Sequence, residues 1–200
     1  MPKLEILPQR LPQQLQDRIG RGVARFGITP NALSLFGFAG NVAAAVLIGR
    51  GDLLWGGVVF LFFSALDMVD GAVARATNRA TPFGAVFDAV LDRASEAIVL
   101  GGCAWYFGER GEYVQAGVTY AAVMGSIAVS YMRARAEVNG LAMREGFFRR
   151  QERVALLGIG LLTGWLAAAM WALAILSHLT ALQRFWLIAR ALREPASPSA

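Results

Sequence analysis

The sequence predicts an all-α integral membrane protein, a six transmembrane helix bundle with an N-terminal amphipathic interfacial helix. Of its 200 residues 56% are hydrophobic and 16% charged, with a mean hydropathy of +0.48. Such a chain is too apolar for an ordinary soluble domain and too long for one or two spans. Apolar runs of about 20 residues, enough to cross a bilayer core as a helix, recur along it. Arginine and lysine collect in alternate connections, the asymmetry that orients a polytopic protein.

Residues 1–26 form the interfacial segment. Leu11, Leu15, Ile19 and Val23 recur every four residues with Arg18, Arg21 and Arg25 between them, and the continuous apolar core of a secretory signal peptide is missing. The transmembrane domain covers 27–190, with spans at 31–49, 53–75, 82–107, 113–133, 147–163 and 165–188. The last two come from one uncharged run, VALLGIGLLTGWLAAAMWALAIL, too long for a single helix. Dividing it at Thr163-Gly164 gives six spans; leaving it whole gives five. With six, Lys3, Arg10, Arg18, Arg21 and Arg25 share one side with Arg75, Arg79, Arg133, Arg135, Arg144, Arg149, Arg150, Arg153, Arg184, Arg190 and Arg193. Only Arg50 and Arg110 fall in the opposite loops. Both termini are therefore expected in the cytoplasm, the chain residing in the cell (plasma) membrane with Trp55, Trp105 and Trp165 at its outer boundary. Residues 191–200 are read as a disordered tail. A net charge of +5 at this hydropathy points to anionic lipid or an anionic substrate rather than nucleic acid. Cys103, the one cysteine, lies in an apolar run as an inert buried thiol.

Ionisable side chains at membrane depth are costly, so they mark function. Four aspartates stand in the pattern Asp67-x-x-Asp70-Gly71-x-x-Ala74-Arg75, then eight residues, then Gly84-x-x-x-Asp88-x-x-x-Asp92. On helices Asp67 and Asp70 share a face, as do Asp88 and Asp92. At about 1.5 Å per residue, Asp67 lies about 12 Å before Arg75 and Asp92 about 15 Å after Pro82, so an antiparallel pair brings them to one depth. Four converging carboxylates need cations, and with no soft donor nearby Mg2+ or Mn2+ is the natural choice. Gly71 and Ala74 leave helix surface bare beside the acids, and Arg75 offers a planar fork to phosphate.

This pattern resembles the signature of the CDP-alcohol phosphotransferase family, intramembrane enzymes that move a substituted phosphate from a CDP-linked donor to an alcohol and release CMP. Every signature position is matched. The resemblance implies a six-helix bundle, a homodimer, and two metal ions held by Asp67, Asp70, Asp88 and Asp92, with Asp92 also the general base on the acceptor hydroxyl. It further implies that Gly71, Ala74, Arg75 and Thr81 hold the CDP part of the lipid donor, with Thr29, Pro30, Asn31 and Ala32 closing on it from the first span. Two-metal chemistry of this kind bridges pyrophosphate oxygens and orients an in-line attack, leaving Asp92 to accept the proton.

Where glycerophosphate-using members resemble Asp-Pro-Leu-Ala-Asp-Lys, this chain has Asp88-Ala-Val-Leu-Asp92-Arg93. The stretches SYMRARAEVNGL, GFFRRQERV and LQRFW resemble the inositol phosphate-using branch, the bacterial phosphatidylinositol phosphate synthases, from Gly27 to Arg184. CDP-diacylglycerol and a myo-inositol phosphate are then the expected partners. Arg133, Arg150, Arg153 and Arg184 come from three cytoplasmic helix ends and together form a cup for a dianionic phosphate, although arginines at such ends also serve topology. Arg133 stands where that branch commonly has lysine.

Other ionisable and aromatic residues take plainer readings. Glu96, one turn beyond Asp92, reads as an intramembrane pair or dimer contact, and Gly101, Gly102 and Ala104 are compatible with a dimer face. His178 reads as a helix-packing residue because no second histidine accompanies it. Phe60, Phe62, Phe63 and Phe83 read as core or bilayer-facing, while Tyr131 and Asn139 either touch substrate or pack. Two rivals stand beside the inositol phosphate reading: glycerol 3-phosphate or another polyol phosphate as acceptor, and, from another class, a cation transporter.

Overall fold

The computed structural model describes residues 29–76, 81–141 and 146–193, and for 68–76 the backbone alone. The interfacial segment 1–26 and the last residues of the tail lie outside the described residues, as does everything beyond the backbone at Asp70, Gly71, Ala74 and Arg75.

Among the described residues six helices follow one another: α1 (Pro30–Arg50), α2 (Leu53–Ala76), α3 (Pro82–Glu109), α4 (Tyr113–Val138), α5 (Arg150–Thr163) and α6 (Leu166–Arg193). The long uncharged run divides at Gly164, whose φ of 77° ends α5 in a conformation that glycine adopts without a Cβ penalty. The first and third helices start alike. Thr29 and Thr81 are N-caps whose hydroxyls accept from the Ala32 and Gly84 N–H groups at 3.2 and 3.0 Å, and each is followed by a proline pre-set for the first helical turn. The fifth helix begins later than its apolar pattern predicts, at Arg150 rather than 147. The Glu152 carboxylate accepts the Arg149 N–H at 2.9 Å, a local bond that fixes the start there. At 14 residues α5 is half the length of α6, which has 28.

Packing closes the helices into a ring in the order α1, α2, α5, α6, α4, α3 and back to α1. Small residues set the close approaches. A Cβ at Gly102 of α3 would lie 2.5 Å from the Ala45 carbonyl oxygen of α1, and one at Gly125 of α4 would lie 2.8 Å from Ser177 and His178 of α6. Gly102 thus serves packing within the chain, whereas Gly101 has open space around it. His178 packs against Gly125 and bonds through Nδ1 to the Ala174 carbonyl of its own helix, the packing role expected of it.

Beside its apolar core the ring buries several small polar side chains, and its outside is rich in large apolar ones. Ser34, Asn41, Ser64, Thr119, Ser126, Ser177 and Thr180 are buried, while Phe36, Phe62, Val90, Ile159, Ile175 and Leu182 are exposed. Phe60 is core, Phe62 and Phe83 face outward, and Phe63 lies over Gly40 in edge-to-face contact with Phe36. Both α1 and α6 are long and apolar enough to cross a membrane, and α2 has an apolar stretch from Leu53 to Asp67. Trp55, Trp105 and Trp165 are exposed at the end of the ring where α3 stops and α6 starts.

Candidate active site

At the end where α1, α3 and α5 begin, the inside of the ring carries charge rather than apolar side chains. Asp67 comes from α2, and Asp88 and Asp92 from successive turns of α3. Each offers a carboxylate oxygen, and these oxygens lie within 4.8 Å of one another. The antiparallel approach expected from the spacing therefore brings three of the four aspartates to one point. Gly37 of α1 makes room for Asp67, since a Cβ there would sit 3.3 Å from its Oδ1. The Ser34 hydroxyl, one turn earlier, lies 3.2 Å from the Pro30 carbonyl and 3.4 Å from Asp88 Oδ1.

Arg150, the first residue of α5, sets its guanidinium between these acids. Nη2 donates to Asp67 Oδ2 at 2.6 Å, and Nη1 lies 2.8 Å from Asp92 Oδ1. A cation already sits where the carboxylates converge, and the donors are hard oxygens without sulfur or imidazole. Both facts fit a divalent ion. Arg150 thus stands on the aspartates, whereas the cup expected from the sequence placed it with Arg133, Arg153 and Arg184.

The other arginines lie farther round the interior. Arg153, one turn along α5 and 3% exposed, makes a two-pronged pair with Glu96, Nε to Oε1 at 2.6 Å and Nη2 to Oε2 at 2.9 Å. Glu96 is thus paired within the chain, one of the two readings its sequence context suggested, with Arg153 as partner. Arg93 instead donates to the Ala89 carbonyl of its own helix. Arg184 of α6 is buried, donates through Nη1 to the Val129 carbonyl of α4 at 2.7 Å, and lies against the backbone of Gly146. The charges of Arg133, Arg149 and Arg153 all bear on it. Arg133 is exposed and paired with Glu137 at 2.9 Å on its own helix. Of the four arginines named from sequence, Arg133 and Arg153 lie near enough to Arg184 for their charges to bear on it, whereas Arg150 does not join them.

Thr29, Pro30, Asn31 and Ala32 open α1 as Thr81 opens α3, and Asn31 lies beside Thr81 at Gly84. A Cβ at Gly84 would lie 3.2 Å from Asn31 Oδ1 and 3.1 Å from Thr81 Oγ1. Two helix N-termini therefore sit side by side next to the aspartates, with N–H groups suited to anions. Tyr131 is exposed on α4, and Asn139 donates to the Arg135 carbonyl. Sequence reasoning missed Ser34, Ser126, Gly146 and Arg149. Only Arg149, in the run GFFRRQERV, carried a signal that could have found it.

Comparison with known proteins bears on this arrangement. Residues 27–191 match the profile of the family described as CDP-alcohol phosphatidyltransferase. The phosphatidylinositol phosphate synthase of Mycobacterium marinum is 37% identical over 94% of this chain and 85% of its own length. Among solved structures, the Mycobacterium tuberculosis phosphatidylinositol phosphate synthase with CDP-DAG bound superposes with a TM-score of 0.81 at 32% identity, covering 94% of this chain and 98% of that one. The same enzyme in complex with manganese and citrate gives a TM-score of 0.77 at 33% identity, covering 92% of each chain.

Proposed function

This chain belongs to the CDP-alcohol phosphatidyltransferase family, and from that membership we propose that it is a phosphatidylinositol phosphate synthase. It transfers the phosphatidyl group of CDP-diacylglycerol to a hydroxyl of a myo-inositol phosphate and releases CMP. The observation that carries the acceptor is the 37% identity to a phosphatidylinositol phosphate synthase along 94% of the chain. Transferase chemistry takes the place of the cation transporter among the rival readings.

Asp67, Asp70, Asp88 and Asp92 hold the divalent ions, two of Mg2+ or Mn2+, in this reading. Bound there, the ions supply positive charge for the pyrophosphate oxygens as CMP leaves. Thr29, Pro30, Asn31 and Ala32 on α1, with Gly71, Ala74, Arg75 and Thr81, bind the cytidine diphosphate. Arg133, Arg153 and Arg184 bind the acceptor phosphate, and Arg150, when not held by Asp67 and Asp92, would join them. The acceptor oxygen bonds to the phosphatidyl phosphorus, the bond from phosphorus to the CMP oxygen breaks, and Asp92 takes the hydroxyl proton.

The outward apolar side chains support insertion in the cell membrane with all six helices, residues 27–190 forming one domain and 1–26 lying along the cytoplasmic interface. A homodimer belongs to the same reading and rests on family resemblance. The test is CMP release by the purified chain with CDP-diacylglycerol and Mg2+, comparing inositol 3-phosphate, free inositol and glycerol 3-phosphate. Release with inositol 3-phosphate alone is expected. Release with glycerol 3-phosphate alone would keep the phosphatidyl transfer and overturn the acceptor.

A further inference from the structure

Resting on the transfer reading above, we propose that Glu96 is a positioning residue for the acceptor site, its carboxylate holding the Arg153 guanidinium toward Arg184 and away from the aspartates. In the ring, α3 and α5 are not neighbours. Two charged rungs nevertheless cross the space between them: Arg150 to Asp92 at 2.8 Å, and one turn farther along both helices Arg153 to Glu96 at 2.6 Å. Turn-to-turn spacing on a helix is about 5–6 Å between Cβ atoms, so Asp92 is the nearest alternative carboxylate for Arg153.

Where Arg153 points is a contest between two groups of charges. Arg133, Arg149 and Arg153 bear on Arg184 as like charges, offset only in part by Glu137, and this drives Arg153 away from that cluster. Asp67, Asp88 and Asp92 attract it to the other side. A guanidinium that moved there would crowd Arg150 at the aspartates and leave the acceptor space one charge short. Glu96 prevents this through geometry. Both its oxygens engage the planar fork, which fixes direction as well as distance, and the pair is buried with side-chain exposures of 3% and 14%. From α4, Ser126 borders the same small cavity as Glu96. The fork takes up both carboxylate oxygens, so Glu96 acts through Arg153 rather than on the reacting atoms.

The test is steady-state CMP release by the full chain with CDP-diacylglycerol and Mg2+, varying inositol 3-phosphate and the lipid separately. Glu96→Gln keeps the shape and loses the charge. It should raise the KM for inositol 3-phosphate about 10- to 100-fold, the size seen when a partner orienting a ligating group is removed. The KM for CDP-diacylglycerol should stay within about twofold, a split that general loosening of the bundle does not produce. Arg153→Gln should give the same acceptor effect, and the double variant no more than Arg153→Gln alone, because one residue acts through the other. An unchanged acceptor KM, equal rises for both substrates, or multiplicative effects in the double variant would overturn the proposal. Should Glu96→Gln not remain monodisperse in detergent, Glu96→Leu with Arg153→Leu replaces the buried pair by apolar side chains. That protein should fold and still show the raised acceptor KM; a wild-type value would overturn the proposal. A wild type that releases no CMP with inositol 3-phosphate overturns the transfer reading and a clamp for that acceptor with it, whereas an active wild type with an indifferent Glu96→Gln overturns the clamp alone.

Discussion

Toward the end of the ring where α3 stops, the interior is Val99, Leu100, Cys103, Leu161, Leu166 and Met170, each no more than 2% exposed. Toward the end where α3 begins, it is Asp67, Asp88, Asp92, Glu96, Arg150, Arg153 and Arg184. The same six helices bound both, so the difference lies in what fills them. Dispersion between close-packed apolar groups fixes helix positions in the first region. In the second the helices are bridged by ion pairs, whose desolvation cost offsets most of their Coulomb gain, so stability does not explain their presence. The apolar end locks the ring, and that lets the charged end stay able to exchange its internal partners for ions and substrates.

Removing one acid tests the charged end most severely. Asp92→Asn should lower CMP release by about 10^2- to 10^4-fold, the usual worth of a positioned general base. Binding of CDP measured by calorimetry should persist, since Thr29, Asn31 and Thr81 are untouched. Wild-type-like turnover would remove Asp92 from proton transfer. Leu161→Ala makes the complementary test at the apolar end. Leu161 is 1% exposed, and truncation there should cost about 2–5 kcal/mol of unfolding stability, read as a lower Tm in detergent. Both KM values of the protein still folded should be unchanged. If they moved, the two ends would not be separable.

The same division explains what the sequence made legible. Helix-length apolar runs and the uncharged stretch broken at Gly164 are local signals, so all six helices follow from them, although α5 starts at Arg150 because the Glu152 cap lies outside any hydropathy pattern. The meeting of Asp67, Asp88 and Asp92 was legible because a spacing of four on one helix and a short stretch of sequence between two helices determine it. The arginine partners were not. Arg150 meets Asp67 across 83 positions of chain and Arg153 meets Glu96 across 57, and which acid each finds depends on the ring order of helices. Nothing in the sequence of α5 distinguishes an arginine for the aspartates from one for Glu96. Gly146 was equally silent, since its value lies in a side chain on α6.

That glycine offers the smallest and sharpest test of the comparison. Gly146 has φ 128° and Gly111, in the loop between α3 and α4 at the opposite end, has φ 72°. Alanine at either should strain the backbone by about 1–3 kcal/mol. The neighbours differ. A Cβ at Gly146 would meet Arg184 Nε at 2.8 Å and Nη2 at 2.9 Å, whereas one at Gly111 meets nothing within 4 Å. Gly146→Ala should therefore push the Arg184 guanidinium from its place beside the Val129 carbonyl and raise the KM for inositol 3-phosphate about tenfold, equivalent to 1.4 kcal/mol of lost binding. Gly111→Ala should lower Tm by a similar amount and leave that KM alone. Equal KM changes in the two variants would mean that loop strain, rather than the position of Arg184, governs the acceptor, and the charged end would then owe its function to backbone shape instead of to placed cations.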